Sequence, residues 1–141
     1  IIFTGPSGIG KTTQAELWQK YLGATIINGD KVFVRSFDND VFGYGAPWSG
    51  SSPCCLNKKA KLKGIVVLLQ SDKNRITKLD CVEATVKMMP HIFIHHWDEK
   101  CVEKVLATFD NVLKNIPVWL LECKPDKEAV MITKNAILNN N

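Results

Sequence analysis

Gly5-Pro-Ser-Gly-Ile-Gly-Lys-Thr12 follows the apolar run Ile1-Ile-Phe-Thr4 and leads into Thr12–Leu22, where Ala15, Leu17, Trp18, Tyr21 and Leu22 supply a helical stripe. The stretch matches G-x-x-x-x-G-K-[ST] in full. Background frequencies, with Gly at about 7% of residues, supply that pattern in roughly one chain in a few hundred of this length. Its context, a strand before and a helix after, is the arrangement the chemistry of the motif needs. The glycines let successive backbone N–H groups turn inward, and the helix N-terminus adds partial positive charge. Gly5, Pro6, Ser7, Gly8, Ile9, Gly10, Lys11, Thr12 and Thr13 are therefore the candidate nucleotide-binding residues. Lys11 would bridge the β- and γ-phosphates, and the Thr12 hydroxyl would hold Mg²⁺. The plainer alternative is a glycine-rich turn with no ligand.

Mg²⁺ on one hydroxyl and phosphates usually needs a carboxylate as well. Leu62–Gln70 ends poorly for that role, since Asp72 lies two residues on in a turn. Ala24–Asn28, taken as a strand, runs into Gly29-Asp30, and Asp30 is the better candidate for the metal or for a general base.

Around this start the chain reads as one α/β domain. Its 141 residues suit a single domain, and 45% hydrophobic with 23% charged residues excludes disorder or a fibrous repeat. Val32–Phe37 and Val41–Tyr44 read as a hairpin about Asp38-Asn-Asp40. Leu62–Gln70 is continuously apolar and should be a central strand. Ser71–Asn74 reads as a turn from which Arg75–Leu79 pairs back on it. Asp80 with Glu83 forms a capping box for a helix to about Met89. Asp98 opens a longer helix with apolar Cys101, Val102, Val105, Leu106, Phe109, Val112 and Leu113, ended by Pro117. Val118–Cys123 is a further buried strand and Asp126–Leu138 a last helix, with Asn139–Asn141 a frayed tail.

Charge and cysteine usage narrow the setting. Residues 1–70 carry eight Lys/Arg against four Asp/Glu, while 71–141 carry ten against ten, so the net +4 favours an anionic ligand in the first half. The longest apolar run, Ile65–Leu69, is far short of the roughly 20 residues that cross a bilayer, so no membrane partner is expected. Five cysteines without a C-x-x-C pair read as thiols in a reducing cytoplasm. The chain opens on Ile1 inside an apolar run, and strands preceding it are expected. A homo-oligomer stays open.

The other candidates each carry two readings. Gly45–Ser52 is either a lid, with Trp48 on a ligand and Ser49–Ser52 as donors, or a surface loop pinned by Trp48. Lys58, Lys59, Lys61 and Lys63 suit a solvated strand edge better than a phosphate contact, and without interleaved aromatics a nucleic-acid partner is not expected. A guanidinium clamp in cis would have to be Arg35 or Arg75. His91, His95 and His96 lie near Asp98, Glu99 and Cys101 but lack zinc-ligand spacing. Cys54-Cys55 has no feature that lowers a thiol pKa.

Gly5-Pro-Ser-Gly-Ile-Gly-Lys-Thr-Thr13 followed by Ile26-Ile-Asn-Gly-Asp30 resembles the catalytic domain of HPr kinase/phosphorylase. That family is related through its P-loop fold to ATP-dependent phosphoenolpyruvate carboxykinase. Tyr44-Gly-Ala-Pro-Trp-Ser-Gly50 and Pro117-Val-Trp-Leu-Leu-Glu-Cys123 are similar to stretches of small bacterial proteins of the same group. The resemblance implies a single P-loop domain over 1–141, a mixed sheet with hairpins flanked by helices, and the absence of the family's N-terminal strands. It implies ATP and Mg²⁺ as cofactors, Lys11 and Asp30 as catalytic residues, Thr12 and Asp30 on the metal, and transfer of a phosphoryl group to a peptide, protein or small-molecule hydroxyl. The family carries paired aspartates after its second strand; here Gly29 takes the first place and Asp30 the second. That departure supports an alternative, a nucleotide-binding regulatory module without turnover.

Overall fold

The computed structural model describes residues 1–48, 50 and 53–139. Two apolar strands set its plan. β5 (Ile65–Gln70) and β7 (Val118–Cys123) run parallel in register from Ile65↔Val118 to Gln70↔Cys123. β1 (Ile2–Thr4) lies parallel on the other side of β5, and β6 (Arg75–Lys78) lies antiparallel beside β7, giving the order β1-β5-β7-β6. In a strand successive side chains alternate between faces, so a strand with no polar alternation must be covered on both. Ile65 and Val67 enter one core with Val41, Met88, Val112 and Val118, while Val66 and Leu68 enter another with Leu121, Ala129 and Ile137. The sheet is thus the middle of three layers.

Helices α1 (Lys11–Leu22) and α4 (Lys127–Leu138) cover one face. The opposite face carries α2 (Cys81–Met88), α3 (Glu99–Asn115) and a second sheet. That sheet has the order β2-β3-β4, from β2 (Phe33–Phe37), β3 (Asp40–Tyr44) and β4 (Lys59–Lys61). The β2–β3 hairpin turns where expected, with Asp38 at φ 52°. The capping box is present: Glu83 N–H donates to Asp80 Oδ1 at 2.8 Å, and Asp80 N–H to Glu83 Oε2 at 3.2 Å. Gly23 ends α1 at φ 66°, its N–H on Gln19 O. A turn of 3₁₀ helix, Met89–His91, continues α2. Among the described residues no helix is long and apolar enough to cross a membrane. Asn140 and Asn141 of the expected frayed tail lie outside the described residues.

Two expectations fail. Arg75–Lys78 does not pair back on Leu62–Gln70; β7 inserts between them, and Arg75 faces Glu122 with its Nε 2.7 Å from Glu122 Oε2. The reason is coverage. β7 is apolar except for Glu122 and suits an interior place, whereas Arg75, Thr77 and Lys78 suit a sheet edge. Residues 71–74 therefore wrap over the end of β7, where Asn74 Oδ1 accepts from Lys124 N–H at 2.9 Å and its Nδ2 donates to Asp126 and Glu128. The second failure is Ala24–Asn28, which is no strand. It makes one isolated antiparallel bridge, Asn28↔Cys55, flanked by Leu56 N–H to Ile27 O at 2.8 Å and Gly29 N–H to Cys54 O at 3.0 Å. The strand proper of Leu62–Gln70 also starts later, at Ile65.

Candidate functional site

The Gly5–Gly10 loop leaves the carboxyl end of β1, the end at which β5 and β7 also finish, where open α/β sheets place their ligands. Gly5, Gly8 and Gly10 all have positive φ, at 144°, 78° and 107°, which L side chains rarely adopt. Gly10 is the N-cap of α1 and supplies no side chain to its first N–H groups, and the first turn holds no acidic residue. The other three α-helices are each capped by an aspartate: Asp80, Asp98 and Asp126 accept from the N–H of Glu83, Cys101 and Ala129. Among the described residues α1 is thus the one α-helix whose first N–H groups have no capping side chain.

Lys11 folds back over this loop, its Nζ 2.9 Å from the carbonyls of both Gly5 and Pro6. An ammonium over two carbonyl oxygens is held beside the bare N-terminus. Lys11, Thr12 and Asp30 line a cavity of about 380 Å³ whose other walls include Trp18, Ile26 and Leu62. Thus three residues singled out in the sequence, Lys11, Thr12 and Asp30, line one cavity although α1 and the Asp30 turn are separate elements, while Gly5, Pro6, Ser7, Gly8, Ile9, Gly10 and Thr13 are not on its wall. Pro6, Ser7 and Gly8 are exposed at the loop tip, Thr13 is exposed on α1, and Ile9 packs with the α1–α4 core.

Asp30 sits in an exposed bend rather than at the end of a buried strand, a consequence of the missing strand at Ala24–Asn28. Its main-chain N–H donates to Asn28 Oδ1 at 2.8 Å. Asn28 went unremarked in the sequence, although Asn-Gly-Asp is turn chemistry in which an Asn side chain bonds two residues on. The amide also donates to the carbonyls of Ala46 and Trp48, at 2.8 and 3.1 Å, so it joins the Asp30 bend to the Gly45–Trp48 loop. Trp48 is itself half exposed and meets Phe33 edge to face at 5.9 Å. Ser49, Ser51 and Ser52, the donors expected of this loop, lie outside the described residues.

Of the remaining candidates, Lys61 and Lys63 also line this cavity. Lys59 and Lys61 lie on the exposed edge strand β4; Lys61 pairs with Asp40 at 2.5 Å, and Lys59 sits over the Phe42 ring at 5.3 Å. Arg35 and Arg75 are absent from the cavity wall, and Arg75 is tied to Glu122. His95 stacks on Trp97 with ring centroids 5.0 Å apart, and meets Phe93 edge on. Among the described residues no group of three His, Cys, Asp or Glu is placed to hold a metal. Cys123 is buried beside α1, with Gln14 Nε2 3.3 Å from its sulfur; burial pushes its thiol pKa up, which opposes a nucleophilic role.

No family model and no curated protein matches this chain. Among solved structures, the HPr(Ser) kinase/phosphatase from Coxiella burnetii superposes on 97% of this chain and 79% of its own, with a TM-score of 0.52 at 10% identity. At that identity the likeness is one of fold: a mixed sheet flanked by helices.

Proposed function

We propose that the cavity binds ATP with Mg²⁺ and that the protein is a kinase-like phosphotransferase acting on a hydroxyl of a peptide, protein or small molecule. One observation carries it: Lys11, Thr12 and Asp30 line a single cavity beside a helix N-terminus that has neither a side-chain cap nor an acidic residue. The donor set fits a polyphosphate. Loop N–H groups turn toward phosphate oxygens, and the Lys11 ammonium exchanges its two carbonyl partners for the β- and γ-phosphates. It also fits Mg²⁺, which keeps its waters and takes one or two protein oxygens, here from Thr12 and Asp30, beside the phosphates. When bound, the metal neutralises charge on the transferring group. Lys11 and the amides contribute fixed donors at the same place, so the chain acts mainly by positioning and charge stabilisation. Such chemistry suits a cytosolic protein whose five thiols stay reduced.

A second reading, a nucleotide-binding regulatory module, is favoured by a different observation. Asp30 is the one carboxylate among the described residues of the cavity wall, and it cannot hold the metal and accept the acceptor's proton together. ADP release from Mg·ATP with serine peptides and small alcohols separates the two. Release that Asp30→Asn abolishes supports the kinase; tight binding with no release under any acceptor supports the module.

A further inference from the structure

We infer that Asn28 is the positioning residue for Asp30, tying the Asp30 bend to the Gly45–Trp48 loop at the cavity wall; this rests on the metal-side role of Asp30 proposed above. A primary amide offers two N–H donors and a carbonyl acceptor on one short side chain. Asn28 uses all of them. Oδ1 takes the Asp30 main-chain N–H, and Nδ2 gives its two protons to the carbonyls of Ala46 and Trp48.

The loop then returns to Asp30 from the other side. Gly50, at φ 60°, packs so closely that a Cβ there would lie 2.9 Å from both Cβ and Cγ of Asp30. One arm of the amide therefore fixes the main chain of Asp30. The other holds the loop whose glycine restricts its side chain. Among the described residues nothing bonds the carboxylate oxygens directly, so their aim comes from this packing. The far side of the loop is braced by Trp48 against Phe33 on β2. Asn28 lines the cavity as well, but its amide is fully used by these three bonds, so it acts through Asp30.

The test is calorimetric titration of ATP with and without Mg²⁺, the ratio of the two affinities being the metal increment. Groups that orient a metal ligand typically set about 10- to 100-fold of metal affinity. Asn28→Ala should remove about tenfold of the increment and leave metal-free ATP binding within about twofold of wild type. In the Asn28→Ala/Asp30→Asn double variant, the loss should not exceed that of Asp30→Asn alone, as for residues acting through one another. Gly50→Ala reaches the same carboxylate from an exposed loop without touching Asn28, so it decides the matter if Asn28→Ala folds poorly; it too should lose the increment. A full increment in Asn28→Ala and Gly50→Ala, with Asp30→Asn losing it, overturns the inference and spares the metal role of Asp30. Equal losses with and without Mg²⁺ also overturn it, since a structural role alone would do that. No effect of Asp30→Asn overturns both.

Discussion

Leu121→Ala tests the lateral order of the sheet. Leu121 is fully buried on β7, between β5 and β6, in the core with Val66, Leu68, Ala129 and Ile137. Truncation removes three carbons, worth roughly 2.4 kcal/mol at about 0.8 kcal/mol for each buried group. The central position resists collapse, so a cavity contribution raises the expected loss to about 3–4 kcal/mol. Urea unfolding followed by circular dichroism reads it. With a slope of about 2 kcal/mol per molar, the midpoint should fall by about 1.5–2 M at unchanged slope. Leu69→Ala is the control, because Leu69 on β5 is 44% exposed and should cost under about 1 kcal/mol. Equal losses in the two variants would refute the placement of β7 inside the sheet, as would a loss below about 1 kcal/mol for Leu121→Ala.

The same topology predicts a coupling between Arg75 and Glu122, paired at 2.5 Å across β6 and β7. A double-mutant cycle to alanine should give about 0.2–1 kcal/mol, screened by salt, and zero coupling would remove β6 from that edge. A pH dependence follows from Asp126, whose carboxyl is held below the usual range first by the Ala129 N–H and then by the Asn74 amide. A depressed folded pKa means the contribution is complete above the unfolded value of about 3.9 and lost as pH falls through the folded value. Wild type should therefore lose its stability advantage over Asp126→Asn as pH drops below about 4; an advantage unchanged across pH 2–6 would contradict this.

The sequence was most legible where local chemistry dictates backbone. Glycines at 5, 8 and 10 required a turn no other residues make, Asp38-Asn39 placed the β2–β3 hairpin, and Asp80 with Glu83 announced α2. Lateral order was less legible, because a strand's sequence says which faces are covered, not which neighbour covers its edges. The signal for β6 was nonetheless present: three polar residues in Arg75-Ile-Thr-Lys78 belong on an edge, and two strands apolar but for Gln70 and Glu122 belong side by side inside. Ala24–Asn28 misled because its composition suits a strand, while its partner, residues 54–56, is too short and irregular to extend the pairing beyond Asn28. The helical stripes overreached at their margins: Leu106 is 43% exposed, and Tyr21 meets the ammonium groups of Lys20 and Lys127. In the site, Lys11 and Thr12 were named from the motif, and Asp30 as the carboxylate after Ala24–Asn28 read as a strand, which it is not. Asn28 was not named, since its partners at 46 and 48 meet it only in the folded chain.

The most direct measurement is calorimetric titration of Mg·ATP into the protein and into Lys11→Ala, with both shown to be folded by circular dichroism. The account predicts micromolar binding that Lys11→Ala weakens at least about tenfold, or about 1.4 kcal/mol. Absence of binding, or equal binding by the two proteins, would contradict it.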